Sequence, residues 1–248
     1  YWNSNWFRNA DCNNCVEIKK MNPSQKNALQ LINYTVTNVL LSTTYNKKYM
    51  QAIIDNDLDL ASKIINFVAH NLGYMGPFFH GTKNDGYILK FKLGNPTYNN
   101  YGLLGDMETK RHAIFFSKSQ KFAKTYGSVN KYYIKVDKIH ELEPLYYEYL
   151  DKLSAFEQRD LYLEVKYLQD LWMLFDDELG AYFRDFLLQK NILAVKFKEK
   201  TQEDNIYETI AVIDPNIIIP GDPIIKNDFG NLITLDDRFY HMQLELFN

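Results

Sequence analysis

The chain has 248 residues, 46% hydrophobic and 24% charged, with a formal net charge of −3. That balance suits one large globular domain, or a domain with an added lobe, and excludes long charge-rich disorder. It excludes a general basic footprint for nucleic acid and leaves only a local patch open.

Aromatic residues make up 15%, with 19 Tyr, so tyrosines are expected on the surface as well as in the core. No apolar run reaches ~18 residues, so no membrane-spanning helix is expected. The opening Tyr1-Trp2-Asn3-Ser4 lacks the basic-then-apolar pattern of a signal peptide. The expectation is a soluble chain.

Cys12 and Cys15 are the two cysteines, spaced CxxC in an Asn-rich stretch. Zinc would need two more ligands at recognisable spacing, and there is no second Cys pair and no HxxxH. A redox CxxC normally follows a strand and opens a helix. The pair therefore reads as a small local disulfide or two free thiols, and no metal site is expected. Asn33-Tyr34-Thr35 fits a glycosylation acceptor but falls inside a helical pattern, so it is taken as chance.

Residues 24–41 predict an amphipathic helix, started by Asn22-Pro23-Ser24, with Leu29, Ile32, Val36, Val39 and Leu40 on one face. Residues 47–54 and 58–72 continue the pattern, and Gly73 closes it as a C-terminal cap. The first 75 residues thus read as a helical lobe. The character changes at Gly76-Pro77, and Phe78-Phe79-His80 reads as a short strand. Asn84–Tyr101, rich in Gly, Asn and Tyr, reads as a loop.

Ala113–Ser117 predicts a buried strand, Gln120–Tyr126 a short helix, and Lys131–Val136 an alternating strand. Residues 141–190 turn helical again, with a capping box at Ser154 and Glu157. Leu161, Val165, Leu168 and Trp172 recur at helical spacing, and a second helix carries Leu179, Phe183, Phe186 and Leu187. Strands are expected at Ile192–Phe197 and Thr209–Ile213, ended by Asp214-Pro215. The tail from Ile217 carries turns at Pro220-Gly221-Asp222-Pro223 and no further predicted element.

The chemistry-bearing residues are few. Phe79-His80-Gly81-Thr82 is followed by Ile114-Phe115-Phe116-Ser117 and by Thr125-Tyr126-Gly127, with Glu208 opening an apolar strand. In this order and spacing the set resembles the ADP-ribosyltransferase superfamily, in its diphtheria-toxin and poly(ADP-ribose) polymerase branch. Leu187–Val195 with Glu208…Asp214-Pro215-Asn216-Ile217 is similar to the closing strands of phage-associated and effector members. The likeness covers about residues 77–219; residues 1–75 and the tail lie outside it.

The resemblance implies an α+β fold with a split antiparallel β-sheet core. Residues 1–75 would be an N-terminal helical lobe and 76–248 a catalytic domain with a helical insert at about 141–190. It implies a mono-ADP-ribosyltransferase that cleaves NAD at the nicotinamide–ribose bond. ADP-ribose would pass to a macromolecule, a protein in the first place and a nucleic acid in the second. A microbial effector or toxin is implied, secreted or translocated into a host cell, or otherwise cytoplasmic. The alternatives are an NAD glycohydrolase and a binding module that keeps the fold without turnover. An RNA-directed transferase or 2′-phosphotransferase is opposed by the net charge and the lack of clustered Arg.

NAD cleavage passes through an oxocarbenium-like ribosyl cation, so it needs a rigid grip, a nearby anion and an acceptor on the opposite face. By resemblance His80 is a catalytic and NAD-binding residue that hydrogen-bonds the adenosine-side ribose. Gly81 would let its backbone approach the nicotinamide amide, and Thr82 would add a hydroxyl. Phe115, where the family commonly has Tyr, and Tyr126 would sandwich the nicotinamide ring. Glu208 would be the catalytic carboxylate at the ribose 2′-hydroxyl. Its rival Glu203 lies in an exposed-loop sequence. Ile206 stands where arginine-modifying relatives carry Gln or Glu, which disfavours simple arginine modification.

The plainer alternatives are a strand-end histidine satisfied by backbone, a pair of core aromatics and a solvated glutamate. Lys110-Arg111-His112 reads either as a pyrophosphate contact or as a solvated turn. Residues 95–105, with Tyr98 and Tyr101, would lie over the donor site as a loop. The helical regions 1–75 and 141–190 are where target recognition is expected.

Overall fold

The computed structural model describes residues 44–83, 86–94, 96–100, 106–165, 168–200, 205–227 and 229–241. Cys12, Cys15, the expected helix at 24–41, Asn33, Tyr101, Glu203 and the side chain of Tyr98 lie outside the described residues.

Helix α1 occupies 44–54 and is followed by α2, Leu58–Asn71. Asp57 caps α2 by accepting from Leu60 N at 3.0 Å, and Gly73 leaves it at φ +78°. Strand β1 runs Tyr74–Thr82, longer than expected, because a bulge between Met75 and Phe78 carries the chain past Gly76-Pro77 without ending the pairing. β2, Pro96–Asn100, lies where a loop was expected and pairs with β3, Asp106–Lys110, in a two-stranded ribbon. Its polar residues carry no apolar alternation, so periodicity gave no strand signal there.

β4, Ile114–Ser117, is followed by α3, Gln120–Lys124, and β5, Ser128–Lys135. The short β6, His140–Glu141, leads into α4, Leu142–Leu150, and α5, Ala155–Glu164. Three-residue-per-turn helix then covers Leu168–Phe175, before α6, Asp177–Gln189. β7, Ala194–Lys200, β8, Ile206–Val212, and β9, Ile218–Pro220, complete the set.

Seven strands form one open sheet in the order β6-β7-β8-β4-β1-β5-β9. All neighbours are antiparallel except β6 and β7. The fold is therefore α+β with a mostly antiparallel sheet. Tyr132, Tyr133 and Ile134 of β5 are buried in succession, which requires cover on both sheet faces. On one face α1 and α2 pack with Tyr74, Tyr133, Ile219, Leu235 and Phe239, and further along that face α4, α5 and α6 bury Val195, Phe197 and Ala211. On the other face Phe78, Ile114, Phe116, Ile210 and Val212 form a third cluster with Phe91 and Leu93.

The single helical repeat expected over Leu161–Trp172 is broken. α5 ends at Glu164, and the tighter helix that follows turns Leu171, Leu174 and Phe175 inward while Leu168 is left exposed. The capping box is present, with Ser154 N donating to Glu157 Oε2 at 2.8 Å and Glu157 N to Ser154 Oγ at 3.4 Å. Ser154→Ala should lower stability by about 1 kcal/mol, a shift of about 2–4 °C in a thermal melt.

The tail, read as featureless beyond its turns, supplies edge strand β9 and a buried arginine. Arg238 donates to Pro220 O at 3.0 Å, Pro223 O at 3.1 Å and Tyr49 Oη at 3.1 Å, and so joins the chain end to α1.

Candidate functional site

The His80-Gly81-Thr82 and Thr125-Tyr126-Gly127 segments lock together at one end of the sheet. A Cβ built on Gly81 would lie 1.9 Å from Ala123 O and 2.9 Å from Tyr126 Cβ. A Cβ on Gly127, at φ +123°, would lie 2.2 Å from Thr82 O. Both glycines are needed because α3 and its exit turn lie directly against the end of β1. The space at Gly81 is thus filled by α3 backbone, a reason for glycine that holds without any ligand.

α3 is fixed by a chain of short contacts. Ser119 caps it by accepting from Phe122 N at 3.2 Å, Ser119 N donates to Ser117 Oγ at 3.0 Å, and Ser117 Oγ donates to Glu208 O at 3.2 Å. Phe122 is buried and stacks on Tyr207 at 4.5 Å, which anchors the helix to β8. The strands bearing His80, Phe115 and Glu208 (β1, β4 and β8) are adjacent in the sheet although far apart in sequence.

Register then separates the side chains. Phe115 pairs with Ala211, and Ser117 with both Phe79 and Thr209. Thr209 also pairs with Phe197, and Glu199 with Tyr207. Residues paired across strands share a face, and neighbours along a strand alternate. Phe115, Thr209 and Glu199 therefore lie on the face that carries α3 and Tyr126. His80 and Glu208 lie on the opposite face, with Phe116 and Ile210.

On that opposite face His80 Nδ1 is 2.7 Å from Phe115 O. A carbonyl only accepts, so Nδ1 carries the proton and Nε2 presents a lone pair. The ring packs against Phe91, Phe116 and Tyr132. Burial lowers its pKa, with the Phe115 carbonyl opposing in part, and keeps the ring neutral near pH 7. The stability this neutral ring contributes is fully present above the ordinary imidazole value of ~6.5. It is lost as pH falls below that value toward the lowered folded one. Urea midpoints at pH 7.5 and 5.5 should therefore differ more for wild type than for His80→Gln.

Glu208 is the third residue of β8 rather than its opening residue. Its carboxylate is paired with Lys118 at 2.8 Å and Lys196 at 3.4 Å. Lys118 chiefly, with Lys196 adding, holds it below the usual carboxyl range, so it is ionised and already balanced by cations. Lys196 is shared with Glu141 at 2.8 Å.

On the α3 face Tyr126 is 49% exposed and donates its hydroxyl to Glu199 Oε1 at 2.8 Å. Thr209 Oγ1 donates to Glu199 Oε2 at 2.8 Å. Burial and then the Glu199 charge push the Tyr126 hydroxyl far above its ordinary pKa, so it remains a donor. Arg111 lies over the Phe115 ring at 4.9 Å and over Trp172 at 5.4 Å, and pairs with Asp176 at 2.8 Å through Nε and 3.1 Å through Nη2. It is thus neither a solvated turn residue nor an unengaged cation. Its guanidinium covers a face of Phe115 that a sandwich would use, whereas Tyr126 packs on Phe122 at 5.5 Å and leaves about half its surface exposed.

An open cleft of about 610 Å³ runs along the β7 edge beside this face. Glu199, Phe197, Ile206, Leu168 and Leu171 line it, and neither His80 nor Glu208 does. Sequence reading missed Glu199 and Thr209. The signal was available: the alternation Val195, Phe197, Glu199 continues one step beyond the Phe197 at which the strand was ended.

Among the described residues no cluster of three His, Cys, Asp or Glu side chains is suited to a metal, and no helix is long and apolar enough to cross a membrane. Comparison with protein-family models, curated proteins and solved structures found no significant match.

Proposed function

We propose that this chain is a mono-ADP-ribosyltransferase, its sheet the split core of that superfamily, which cleaves NAD and passes ADP-ribose to a protein. The observation that carries the reading is the interlock of His80-Gly81-Thr82 with Tyr126-Gly127 beside the strand of Phe115. It brings together segments that lie 44 residues apart, from Thr82 to Tyr126.

On this reading Tyr126 stacks on the nicotinamide ring, with Phe115 behind Arg111 as the second wall, and Thr82 lends a hydroxyl at the strand end. The resemblance has His80 Nε2 accept from an adenosine-side ribose hydroxyl; its ring lies on the sheet face opposite Tyr126, packed against Phe91, Phe116 and Tyr132, so on the Tyr126 face His80 acts by holding Phe115 O through Nδ1–H. The bond from ribose C1′ to the nicotinamide nitrogen breaks, and its electron pair neutralises the ring. The acceptor's nucleophilic atom bonds to C1′ and releases its proton to solvent. A carboxylate near the ribose stabilises the cation between these events. The resemblance gives that role to Glu208, and Glu199 is a second candidate.

The cleft favours a protein acceptor over a nucleic acid. Glu141, Glu143 and Glu199 there balance Lys196, Lys198 and Lys200, so it has no excess cation with which to follow phosphates. An effector or toxin acting in a host cell fits this activity. Incubation with NAD carrying a labelled adenylate, with and without a cell lysate, tests the reading. Nicotinamide should be released and label should become protease-sensitive and acid-insoluble. Release with label left as free ADP-ribose would mark a glycohydrolase, and no release with lysate present would overturn the enzyme reading.

A further inference from the structure

We infer that Glu199 is the carboxylate that stabilises the ribosyl cation, on the sheet face that carries Tyr126. The inference rests on the NAD-cleaving reading above and changes which residue performs its central step. Three independent observations support it.

The first is the shared face. Glu199 Oε1 is 2.8 Å from the Tyr126 hydroxyl, so a ring stacked on Tyr126 brings its ribose alongside this carboxylate. Glu208 projects from the other face, with the sheet backbone between it and Tyr126. The second is charge. Among the described residues Glu199 is held by two neutral hydroxyl donors, Tyr126 and Thr209, and no cation pairs with it. A carboxylate has about four lone-pair sites, so two hydroxyl bonds leave room for a ribose 2′-hydroxyl. Glu208 already carries Lys118 and Lys196, which oppose a developing positive charge. The third is access. Glu199 lines the open cleft along β7, and Glu208 does not.

In the reaction the C1′–nitrogen bond breaks heterolytically and its pair leaves with neutral nicotinamide. Positive charge spreads over C1′ and the ring oxygen while Glu199 accepts from the 2′-hydroxyl. A nucleophilic protein side chain then bonds to C1′ from the opposite face and loses its proton. NAD and protonated acceptor thus give ADP-ribosyl-acceptor, nicotinamide and one proton. Tyr126 and Thr209 are positioning residues that fix the carboxylate before substrate arrives.

The test compares Glu199→Gln, Glu199→Asp and Glu208→Gln in the full chain, by nicotinamide release and by equilibrium dialysis of NAD. Glu199→Gln should lower kcat by ~100-fold or more while NAD affinity changes by less than ~3-fold, the pattern of a group acting in the transition state. Glu199→Asp, which keeps the charge, should recover part of the rate, and it also serves if the Gln variant fails to fold. Glu208→Gln should lose at least ~10-fold less rate than Glu199→Gln, since its charge is already balanced by Lys118 and Lys196. A full rate in Glu199→Gln, or a ~100-fold loss confined to Glu208→Gln, would overturn the inference and leave NAD cleavage standing. A wild-type chain that neither binds nor cleaves NAD would overturn the reading beneath it, and the inference with it.

Discussion

Gly81→Ala is expected to destabilise the chain by about 3 kcal/mol or more and to remove the candidate site with it, since overpacking of this severity forces backbone to move. The added methyl would sit 1.9 Å from Ala123 O, an oxygen that accepts from Tyr126 N at 3.1 Å. Neither atom is the flexible end of a side chain. α3 must move off β1, and Tyr126 moves with it. The loss should therefore appear in two readouts, a lowered urea midpoint and a Tyr126–Glu199 contact that no longer forms. A variant within about 0.5 kcal/mol of wild type, the range of ordinary surface substitutions, would show that α3 does not lie against β1 as described.

Arg238→Met is the second large effect, about 1–3 kcal/mol, as for buried acceptors that lose a charged donor. Arg238 has no exposed surface, and its removal takes a donor from Pro220 O, Pro223 O and the Tyr49 hydroxyl, the last two staying joined to each other at 2.7 Å. Asp222 adds a pH signature. Burial raises its pKa, while Lys131 N and the charges of Lys131 and Arg238 hold it down. Without Arg238 the folded value rises further, so ionised Asp222 costs more. A raised carboxyl gives stability that is lost as pH rises. The penalty of Arg238→Met should accordingly be larger at pH 7.5 than at pH 4.5, as read from urea unfolding at both.

Much of the fold was legible because burial leaves a period. α2 and α6 carry their apolar stripes every three to four residues, β4 and the end of β8 are short apolar runs, and β5 and β7 alternate. The β2–β3 ribbon left no such trace, because its pairing is backbone hydrogen bonding between polar residues. The break after Glu164 was invisible for a different reason. Leu161, Val165, Leu168 and Trp172 fit one helix by spacing alone, and tertiary packing chose another register.

At the candidate site, residue types were easier to read than directions. The two glycine-bearing segments stand out by composition, and the structure gives their spacing a cause in mutual contact. Which face each side chain takes depends on strand register, and a one-residue difference reverses it. Glu208 was conspicuous in sequence beside an apolar run, yet its partners are lysines on the His80 face. Glu199, hidden in a run of alternating Lys and Glu, is the acid bonded to Tyr126.

The most direct measurement of the central claim is equilibrium binding of NAD to the full chain and to Tyr126→Ala. The account predicts one saturable site per chain in the micromolar-to-millimolar range typical of enzyme substrates. Affinity should fall about tenfold in Tyr126→Ala, in line with ~1–3 kcal/mol for an aromatic–base stack. Absence of saturable binding at millimolar NAD, or equal affinity in the two proteins, would contradict it.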